Sequence, residues 1–387
     1  MKIRSTSNNR HASARLSAVL LAVLLLSACA RQPQPARIEE ITFQSGSFHV
    51  VGDLRLPEGT EPFPVVLFVH GSGPADRTGE GSYPPIIERM LRAGYATFSW
   101  DKPGTGESTG QFNDQTLRHQ RAQIVLDAIE VMQARRDIDP QRIGLWGISQ
   151  AGYVMPLALM QSKDIAFMIG VSCPGISGVD QTTYQNMAMA LCTGTPKGQA
   201  DRRTELLADL DAARTYKSYE EYVHYREMIE ALFETAVQAP QGYGFGVVPE
   251  KAWLANDSEN EHWWNPIEVI EQTKIPVLAI FGDKDPQIDP IQGAYAYRKA
   301  VEQAGNPLSR VELFTKANHG ITTSETGCPA DDLQWVEQYV KTLGYGSMSE
   351  AQEALRGDPY NPELLSAYPY APGYMDLIEG WLRGLPR

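Results

Sequence analysis

The sequence predicts an α/β fold with a mostly parallel central sheet, helices on both faces of that sheet, and an inserted, mainly helical cap. The first observation is that strand-like apolar runs alternate with helix-like runs, at 96–100, 116–135, 143–148, 153–160 and 166–172. The second is an interruption of this alternation at residues 173–274, which is far longer than an ordinary crossover between strands. We therefore expect a core of residues 38–175 and 274–387, with the cap at 176–273.

The N-terminal residues resemble a bacterial lipoprotein signal peptide at 1–28. Four basic residues precede an apolar stretch at 16–26, which is too short to span a bilayer comfortably. The tetrapeptide Leu26-Ser27-Ala28-Cys29 then matches a lipobox, so we expect acylation of Cys29; an ordinary secretory signal is the alternative. Residues 29–37 form a polar, proline-rich tether. Alanine rather than aspartate at position 30 favours anchoring in the outer membrane, facing the periplasm.

An antiparallel hairpin is expected at the start of the core, from the runs 38–43 and 47–56. A later apolar strand at 64–69 ends in His70-Gly71-Ser72-Gly73-Pro74. Glycines allow close backbone approach, so this loop is a candidate donor of N–H groups to a developing oxyanion. We expect the Ser72 amide to donate, with Gly71 as the alternative, and His70 to hold the loop by hydrogen bonding.

The most informative passage is Gly147-Ile148-Ser149-Gln150-Ala151-Gly152, which lies between a buried strand and a helix-like run. A serine on such a sharp strand-to-helix turn projects its hydroxyl into a cleft, and small flanking residues let the strand and the helix pass closely. Ala151 stands where glycine is more usual. We predict that Ser149 is a nucleophile and that the Gln150 amide is the other oxyanion donor; the alternative is an ordinary tight turn.

A nucleophilic serine needs a base and a carboxylate that orients the base. The apolar run 275–281 opens into an acidic loop, and a later strand ends in a loop that contains His319. Open parallel sheets place their sites just past the carboxyl ends of strands. We predict His319 as the base and Asp285 as the acid, while Asp283 and Asp289, which could instead cap a turn and a helix, remain alternatives.

Aromatic residues mark the predicted cap. Five residues recur at helical spacing and are expected to pack against the core: Tyr222, Tyr225, Ile229, Leu232 and Phe233. Three tryptophans either line an acyl pocket or fix the cap in place: Trp253, Trp263 and Trp264. After the cap, further helices are expected at 328–343 and 374–382.

Composition excludes several classes of function. The chain has a formal net charge of −13. The first 28 residues contain four basic and no acidic side chains. Their loss leaves 30 basic and 47 acidic residues, a net charge of −17. No nucleic-acid partner is expected, because such binding needs basic faces.

No CxxC or HExxH pattern is present, so neither a metal nor a cofactor is expected. In an oxidising compartment two of the three remaining cysteines can form a disulfide, and the sequence does not show which two. The three are Cys173, Cys192 and Cys328.

Together these passages resemble the α/β-hydrolase superfamily, and more narrowly the esterases related to prolyl-oligopeptidase-type serine hydrolases. The matching motifs are LFVHGSGP at 67–74, WDKPGTGESTG at 100–110, the turn around Ser149, VSCPG at 171–175, the Asp285 loop and ANHG at 317–320. The similarity covers roughly residues 38–385 and is weak between 176 and 273. It implies an α/β-hydrolase fold and hydrolysis of carboxylic esters of small acyl groups.

The leading hypothesis is therefore a lipid-anchored enzyme that cleaves a small-molecule ester by two-step acyl transfer. The serine, acid and base would be Ser149, Asp285 and His319. A peptidase or amidase with the same residues is a second hypothesis. A non-catalytic envelope lipoprotein on the same scaffold is a third, which the presence of all three residues disfavours.

Overall fold

The computed structural model describes residues 37–112, 118–176, 178–215, 218–231, 265–347 and 368–386, with isolated positions between 247 and 365. The expected signal peptide, Cys29 and the tether up to residue 36 lie outside the described residues. So do five residues of the predicted cap: Leu232, Phe233, Trp253, Trp263 and Trp264.

Eight strands of the described residues form one sheet in the order β1-β2-β4-β3-β5-β6-β7-β8. Their bounds are β1 Arg37–Ser45, β2 Phe48–Leu56, β3 Phe63–Val69, β4 Ala96–Trp100, β5 Ile138–Ile148, β6 Ile165–Val171, β7 Val277–Gly282 and β8 Arg310–Phe314. The pairs β1–β2 and β2–β4 are antiparallel, and the other neighbouring pairs are parallel. The predicted hairpin and the mostly parallel sheet are therefore confirmed.

Helices alternate with the strands, as the sequence pattern predicts. In the described residues they are α1 Pro84–Arg92, α2 Arg118–Gln133, α3 Ala151–Gln161, α4 Gly178–Cys192, α5 Lys197–Thr215, α6 Tyr219–Glu230, α7 Ile267–Gln272, α8 Pro290–Ala304, α9 Pro329–Thr342 and α10 Tyr374–Arg383. None of these helices is both long enough and apolar enough to cross a membrane.

Apolar clusters cover both faces of the sheet, and β3 contributes to each in turn. Val65 and Leu67 join the cluster that includes residues of α2, α3 and α8, whereas Val66 and Phe68 join the cluster that includes residues of α1 and α10. A strand buried on both faces is apolar at consecutive positions, which explains the uninterrupted run at 64–69. This packing fixes the sheet, whose strand ends carry the candidate site.

Helices α4, α5 and α6 lie between β6 and β7 in the chain, within the predicted cap. Helices α5 and α6 enclose a small apolar cluster of their own, which includes Leu206, Leu210 and Tyr222. Tyr222 is buried, as expected for a packing residue, but it belongs to this α5–α6 cluster, where its ring stacks on Tyr219, and not to the clusters on the sheet. The expectation that it packs against the core is therefore wrong, because the helices in this region pack on one another.

A disulfide joins Cys192 at the end of α4 to Cys328, just before α9. Cys173 is buried and not disulfide-bonded. The structure thus resolves the pairing that the sequence leaves open. It also links the predicted cap covalently to the segment that follows β8.

Candidate active site

Ser149 lies on the turn between β5 and α3 and has a φ of 58°, a left-handed conformation that costs energy for any residue with a Cβ. Its N–H donates to the carbonyl of Val171 at 2.9 Å, and its own carbonyl accepts from the Gly152 N–H at 2.9 Å. The turn requires small residues, since a Cβ on Gly147 would lie 2.6 Å from the Cβ of Ala151. The structure thus places Ser149 on the strained strand-to-helix turn that its motif predicts.

His319 and Asp285 meet on the loops that follow β8 and β7. The distance between His319 Nδ1 and Asp285 Oδ2 is 2.8 Å. The other carboxylate oxygen, Oδ1, accepts from the N–H groups of Gln287 at 2.7 Å and Ile288 at 3.0 Å. Asp285 is buried and the His319 side chain is 15% exposed. A carboxylate that accepts from Nδ1–H leaves Nε2 as the ring nitrogen that can accept a proton.

The two alternative acids have other roles. Asp289 caps α8, because its Oδ1 accepts from the N–H groups of Ile291 and Gln292, both at 3.0 Å. Asp283 accepts a long hydrogen bond of 3.4 Å from the Ala317 N–H. Of the three candidates, Asp285 is therefore the one hydrogen-bonded to the imidazole.

The end of β6 connects the serine turn to the histidine loop. Val171 accepts from the Ser149 N–H, as given above, and Ser172 directly follows it with a φ of 46°. The Ser172 hydroxyl donates to the main-chain carbonyl of His319 at 2.8 Å. Two adjacent residues thus hold the backbones of both Ser149 and His319, which brings the predicted nucleophile and base to the same edge of the sheet.

His70 holds the glycine loop, as the sequence predicts. Its Nε2 donates to the Trp100 carbonyl at 2.6 Å, and its Nδ1 accepts from the Tyr83 hydroxyl at 2.8 Å. Burial, reinforced by the charges of Lys102 and Arg121, lowers the pKa of His70 to about 3. The ring is therefore neutral at physiological pH and acts as a hydrogen-bonding brace.

The glycine loop lies against the nucleophile. A Cβ on Gly71 would be 3.3 Å from the Cβ of Ser149, which is tighter than most such contacts, so glycine lets the loop lie this close without displacing its neighbours. The Gly71 carbonyl accepts from Lys102 Nζ at 2.7 Å and from an Arg121 guanidinium nitrogen at 3.1 Å. Because the C=O and N–H of a trans peptide point in opposite directions, the Ser72 N–H points away from both cations.

Gln150, the other predicted oxyanion donor, immediately precedes α3 and has helical backbone angles. A backbone N–H at the start of a helix has no intrahelical acceptor, so it is free to bind an anion. The side-chain Oε1 of Gln150 accepts from Arg121. Arg121 thus contacts both segments that carry the predicted oxyanion donors.

Helix α4 supports the acid loop from the side of the predicted cap. The Tyr184 hydroxyl donates to the Asp285 carbonyl at 2.7 Å. The Gln181 side chain donates to the Gln287 carbonyl and accepts from the Asp289 N–H. Burial, followed by the negative charges of Asp289 and Asp285, raises the pKa of Tyr184 to about 12, so the hydroxyl keeps its proton.

Sequence reasoning missed several of these contacts. The WDKPGTGESTG motif contains Lys102, but the motif does not reveal the hydrogen bonds of Lys102 with the glycine loop. Arg121 and Tyr184 carry no motif, and only the fold brings them to the site. No group of three or more side chains suited to holding a metal is found among the described residues.

Comparisons with known proteins identify the family of the chain. A family model described as X-Pro dipeptidyl-peptidase (S15 family) matches residues 48–320, more than half of the chain. An uncharacterized 31.7 kDa protein in the traX-finO intergenic region of Escherichia coli is 23% identical over 246 residues, covering 63% of this chain and 80% of that protein. The lasso peptide isopeptidase AtxE2 of Asticcacaulis excentricus is 26% identical over 153 residues, covering 35% of this chain and 22% of that protein.

Solved structures with a similar fold include the Pyrococcus furiosus esterase Pf2001. It is 17% identical, with a TM-score of 0.47, and the similarity covers 79% of this chain and 91% of that chain. Likeness at this level has no bearing on the substrate.

Proposed function

Because this chain belongs to the S15 family of α/β-hydrolase serine hydrolases, we propose that it hydrolyses carboxylic esters, with Ser149 as nucleophile, His319 as base and Asp285 as the orienting acid. The observation that carries the proposal is the 2.8 Å contact between His319 Nδ1 and the buried Asp285 carboxylate. Ser149, held at a φ of 58° on a strand-to-helix turn, and His319 are hydrogen-bonded to the consecutive residues Val171 and Ser172 at the end of β6. These contacts support acyl transfer by a serine, which needs an oriented imidazole and a nucleophile on a strand-to-helix turn.

The reaction would proceed in two steps. The Ser149 oxygen forms a bond to the ester carbonyl carbon while Nε2 of His319 takes the hydroxyl proton. The tetrahedral intermediate collapses, the bond to the alkoxy group breaks, and His319 gives its proton to the departing alcohol. Water then attacks the acyl-enzyme with His319 again as base, which releases the carboxylic acid and restores Ser149.

Backbone amides of Ser72 and Gln150 would hold the oxyanion. Support for Ser72 comes from the paired cations on the Gly71 carbonyl, which turn the Ser72 N–H to the opposite side of the peptide. The His70 carbonyl also accepts from Arg121, which orients the Gly71 N–H in the same way. Gly71 therefore remains the alternative donor.

The charges around the site favour a neutral ester over a peptide with a free N-terminus. A dipeptidyl-peptidase substrate carries a protonated α-amino group close to the scissile bond, and that group needs a carboxylate partner. Four acidic side chains on the described loops that follow β3, β4 and β7 already accept hydrogen bonds from the protein: Asp76, Asp101, Asp283 and Asp289. The cations Lys102 and Arg121 contact the glycine loop instead.

A peptidase or amidase is the second candidate, since the matching family is described as X-Pro dipeptidyl-peptidase and one relative is a lasso peptide isopeptidase. The two candidates differ in the leaving group, so kcat/KM separates them. We expect p-nitrophenyl acetate and butyrate to be cleaved at least 100-fold more efficiently than Xaa-Pro and aminoacyl p-nitroanilides. A higher kcat/KM for an Xaa-Pro anilide would reverse this assignment.

Labelling by a fluorophosphonate probe tests the nucleophile directly. We expect the mass adduct on the peptide containing Ser149 and no adduct in Ser149→Ala. The same substitution should lower kcat on the order of a million-fold, as in other serine hydrolases. Ordinary turnover in Ser149→Ala would refute the mechanism.

We also propose that the enzyme is anchored to the bacterial envelope by lipid at Cys29, facing the periplasm and sorted to the outer membrane. The Cys192–Cys328 disulfide supports an exported location, because such bonds persist in oxidising compartments. In the native host, Cys29→Ser should move the protein from the membrane fraction to the soluble periplasmic fraction with its activity retained. Full-length protein that stays membrane-bound after this substitution would contradict lipid anchoring.

A further inference from the structure

Arg121, on α2, is a partly buried guanidinium whose contacts all lie behind the predicted oxyanion site. It donates to the side-chain Oε1 of Gln150, to the carbonyl of His70 and, at 3.1 Å, to the carbonyl of Gly71. Within the described part of the chain no carboxylate is ion-paired with it, so its hydrogen-bond partners there are these three uncharged oxygens. A charge removed from water usually has an opposite charge beside it, which makes this arrangement costly for stability.

The nearest titratable groups do not neutralise Arg121. Burial holds the pKa of His70 at about 3 and raises that of Tyr83 well above its usual value, so both side chains are neutral at pH 7. Burial also lowers the pKa of Arg121 to about 10, which still leaves the guanidinium charged at pH 7. Asp101, next to Lys102 in the chain, is held by Arg77 at 2.7 Å. Among the described residues, then, no negative charge is paired with Arg121 beside the glycine loop.

Lys102 adds a second cation at the same loop. Its Nζ donates to the carbonyls of Gly71 at 2.7 Å and Gly73 at 2.5 Å. The Gly71 carbonyl thus accepts from two cations at once, and its peptide group includes the N–H of Ser72. Cations at a carbonyl polarise the peptide and make its N–H a stronger donor.

We propose that Arg121, assisted by Lys102, is a positioning residue that orients and polarises the oxyanion-binding amides of Ser72 and Gln150. The inference rests on the proposed acyl-transfer function and deepens it. Among the described residues the guanidinium donates to Gln150, His70 and Gly71 and makes no hydrogen bond with Ser149, His319 or Asp285. It acts by fixing the glycine loop relative to Gln150 and by supplying positive charge where negative charge develops in the transition state.

Kinetics of Arg121→Met and Arg121→Lys test the proposal. Loss of a direct oxyanion donor costs about 100- to 1000-fold in kcat, so loss of an indirect support should cost about 10- to 100-fold. We expect this loss in kcat for Arg121→Met, with KM for p-nitrophenyl butyrate within 3-fold of wild type. Arg121→Lys keeps the charge and should recover most of the loss. Arg135→Met, which removes an arginine paired with Asp137 and Glu39 rather than with the glycine loop, is the control and should retain kcat.

Inhibition by a trifluoromethyl ketone separates an effect on the oxyanion site from a general loss of structure. The serine adds to this ketone and forms an anionic tetrahedral adduct that resembles the transition state. Its inhibition constant should rise across the Arg121 variants by the same factor by which kcat/KM falls. A folded Arg121→Met with wild-type kcat, or with a raised KM and unchanged ketone affinity, would overturn the proposal.

Gln150→Glu keeps the test decisive if Arg121→Met fails to fold. The new carboxylate would pair with Arg121 and neutralise it while the Gln150 backbone amide remains. We expect the unfolding midpoint to stay the same or rise while kcat falls at least 10-fold. Unchanged kcat in this variant would refute the proposal. Failure of the proposed function itself gives a different result, because the wild-type enzyme would then show no turnover that is lost in Ser149→Ala. If wild-type turnover does depend on Ser149 but the Arg121 variants are fully active, only the role of Arg121 is refuted.

Discussion

Ser149 occupies a backbone conformation that favours glycine, so a serine at this position lowers the stability of the fold but places a hydroxyl on the turn between β5 and α3. Ser149→Ala and Ser149→Gly remove the hydroxyl equally, but only glycine removes the Cβ that makes a φ of 58° unfavourable. We expect Ser149→Gly to be more stable than Ser149→Ala by about 1 kcal/mol, with both inactive. Urea unfolding of the two variants measures the difference. Equal stability would show that the turn stores no strain at this residue.

His70 gives the fold a predictable sensitivity to acid. Its folded-state pKa of about 3 lies below the ordinary histidine pKa of 6.5, so the unfolded chain binds the proton more readily between these two pH values. The stabilisation from the neutral ring is complete above pH 6.5 and is lost as the pH falls from 6.5 towards 3, at about 1.4 kcal/mol per pH unit.

The matched variant for this effect is His70→Gln, which cannot titrate. It should be less stable than wild type at pH 7, and its free energy of unfolding should fall less steeply between pH 7 and pH 5. Denaturant titrations at both pH values give the two slopes. Identical slopes would mean that His70 does not contribute to acid sensitivity.

At the scale of elements, α4 braces the loop that carries the acid. The Tyr184 hydroxyl donates to the Asp285 carbonyl, and Gln181 bonds both neighbouring segments of the loop. Tyr184→Phe removes one hydrogen bond with little change of shape and should destabilise the protein by about 1 kcal/mol. It should also lower kcat several-fold, because Asp285 is then held less firmly.

Tyr295→Phe is a suitable control, since Tyr295 is 60% exposed on α8. It should change neither the unfolding midpoint nor kcat. If Tyr184→Phe behaves in the same way, α4 does not support the acid loop.

The elements that the sequence predicts well are those with a local signal. Uninterrupted apolar runs gave β3 and β7, and strand-end loops gave Asp285 and His319, since parallel strands end at one edge of the sheet. The packing partner of Tyr222 was predicted wrongly, because helical spacing indicates a buried face without identifying its partner. Arg121 escaped prediction for a related reason: its role depends on three oxygens from two distant segments, which only the folded chain brings together.

At the scale of the whole molecule, the Cys192–Cys328 disulfide joins residues separated by 136 positions. Closing so long a loop restricts the unfolded chain, and loss of such a bond typically costs about 2–5 kcal/mol. We expect the Cys192→Ser, Cys328→Ser double variant to be less stable than wild type by this amount. Dithiothreitol should destabilise wild type similarly and leave the double variant unchanged. Equal stability with and without the bond would contradict this expectation.

The same bond has a topological consequence. β7, α8 and β8, and with them Asp285 and His319, all fall inside the covalent ring, whereas Ser149 lies outside it. A single proteolytic cut anywhere from 193 to 327 would open the polypeptide yet leave every fragment tethered to the one bearing the nucleophile. A nicked molecule would therefore keep its mass on a non-reducing gel and separate into two bands only after reduction.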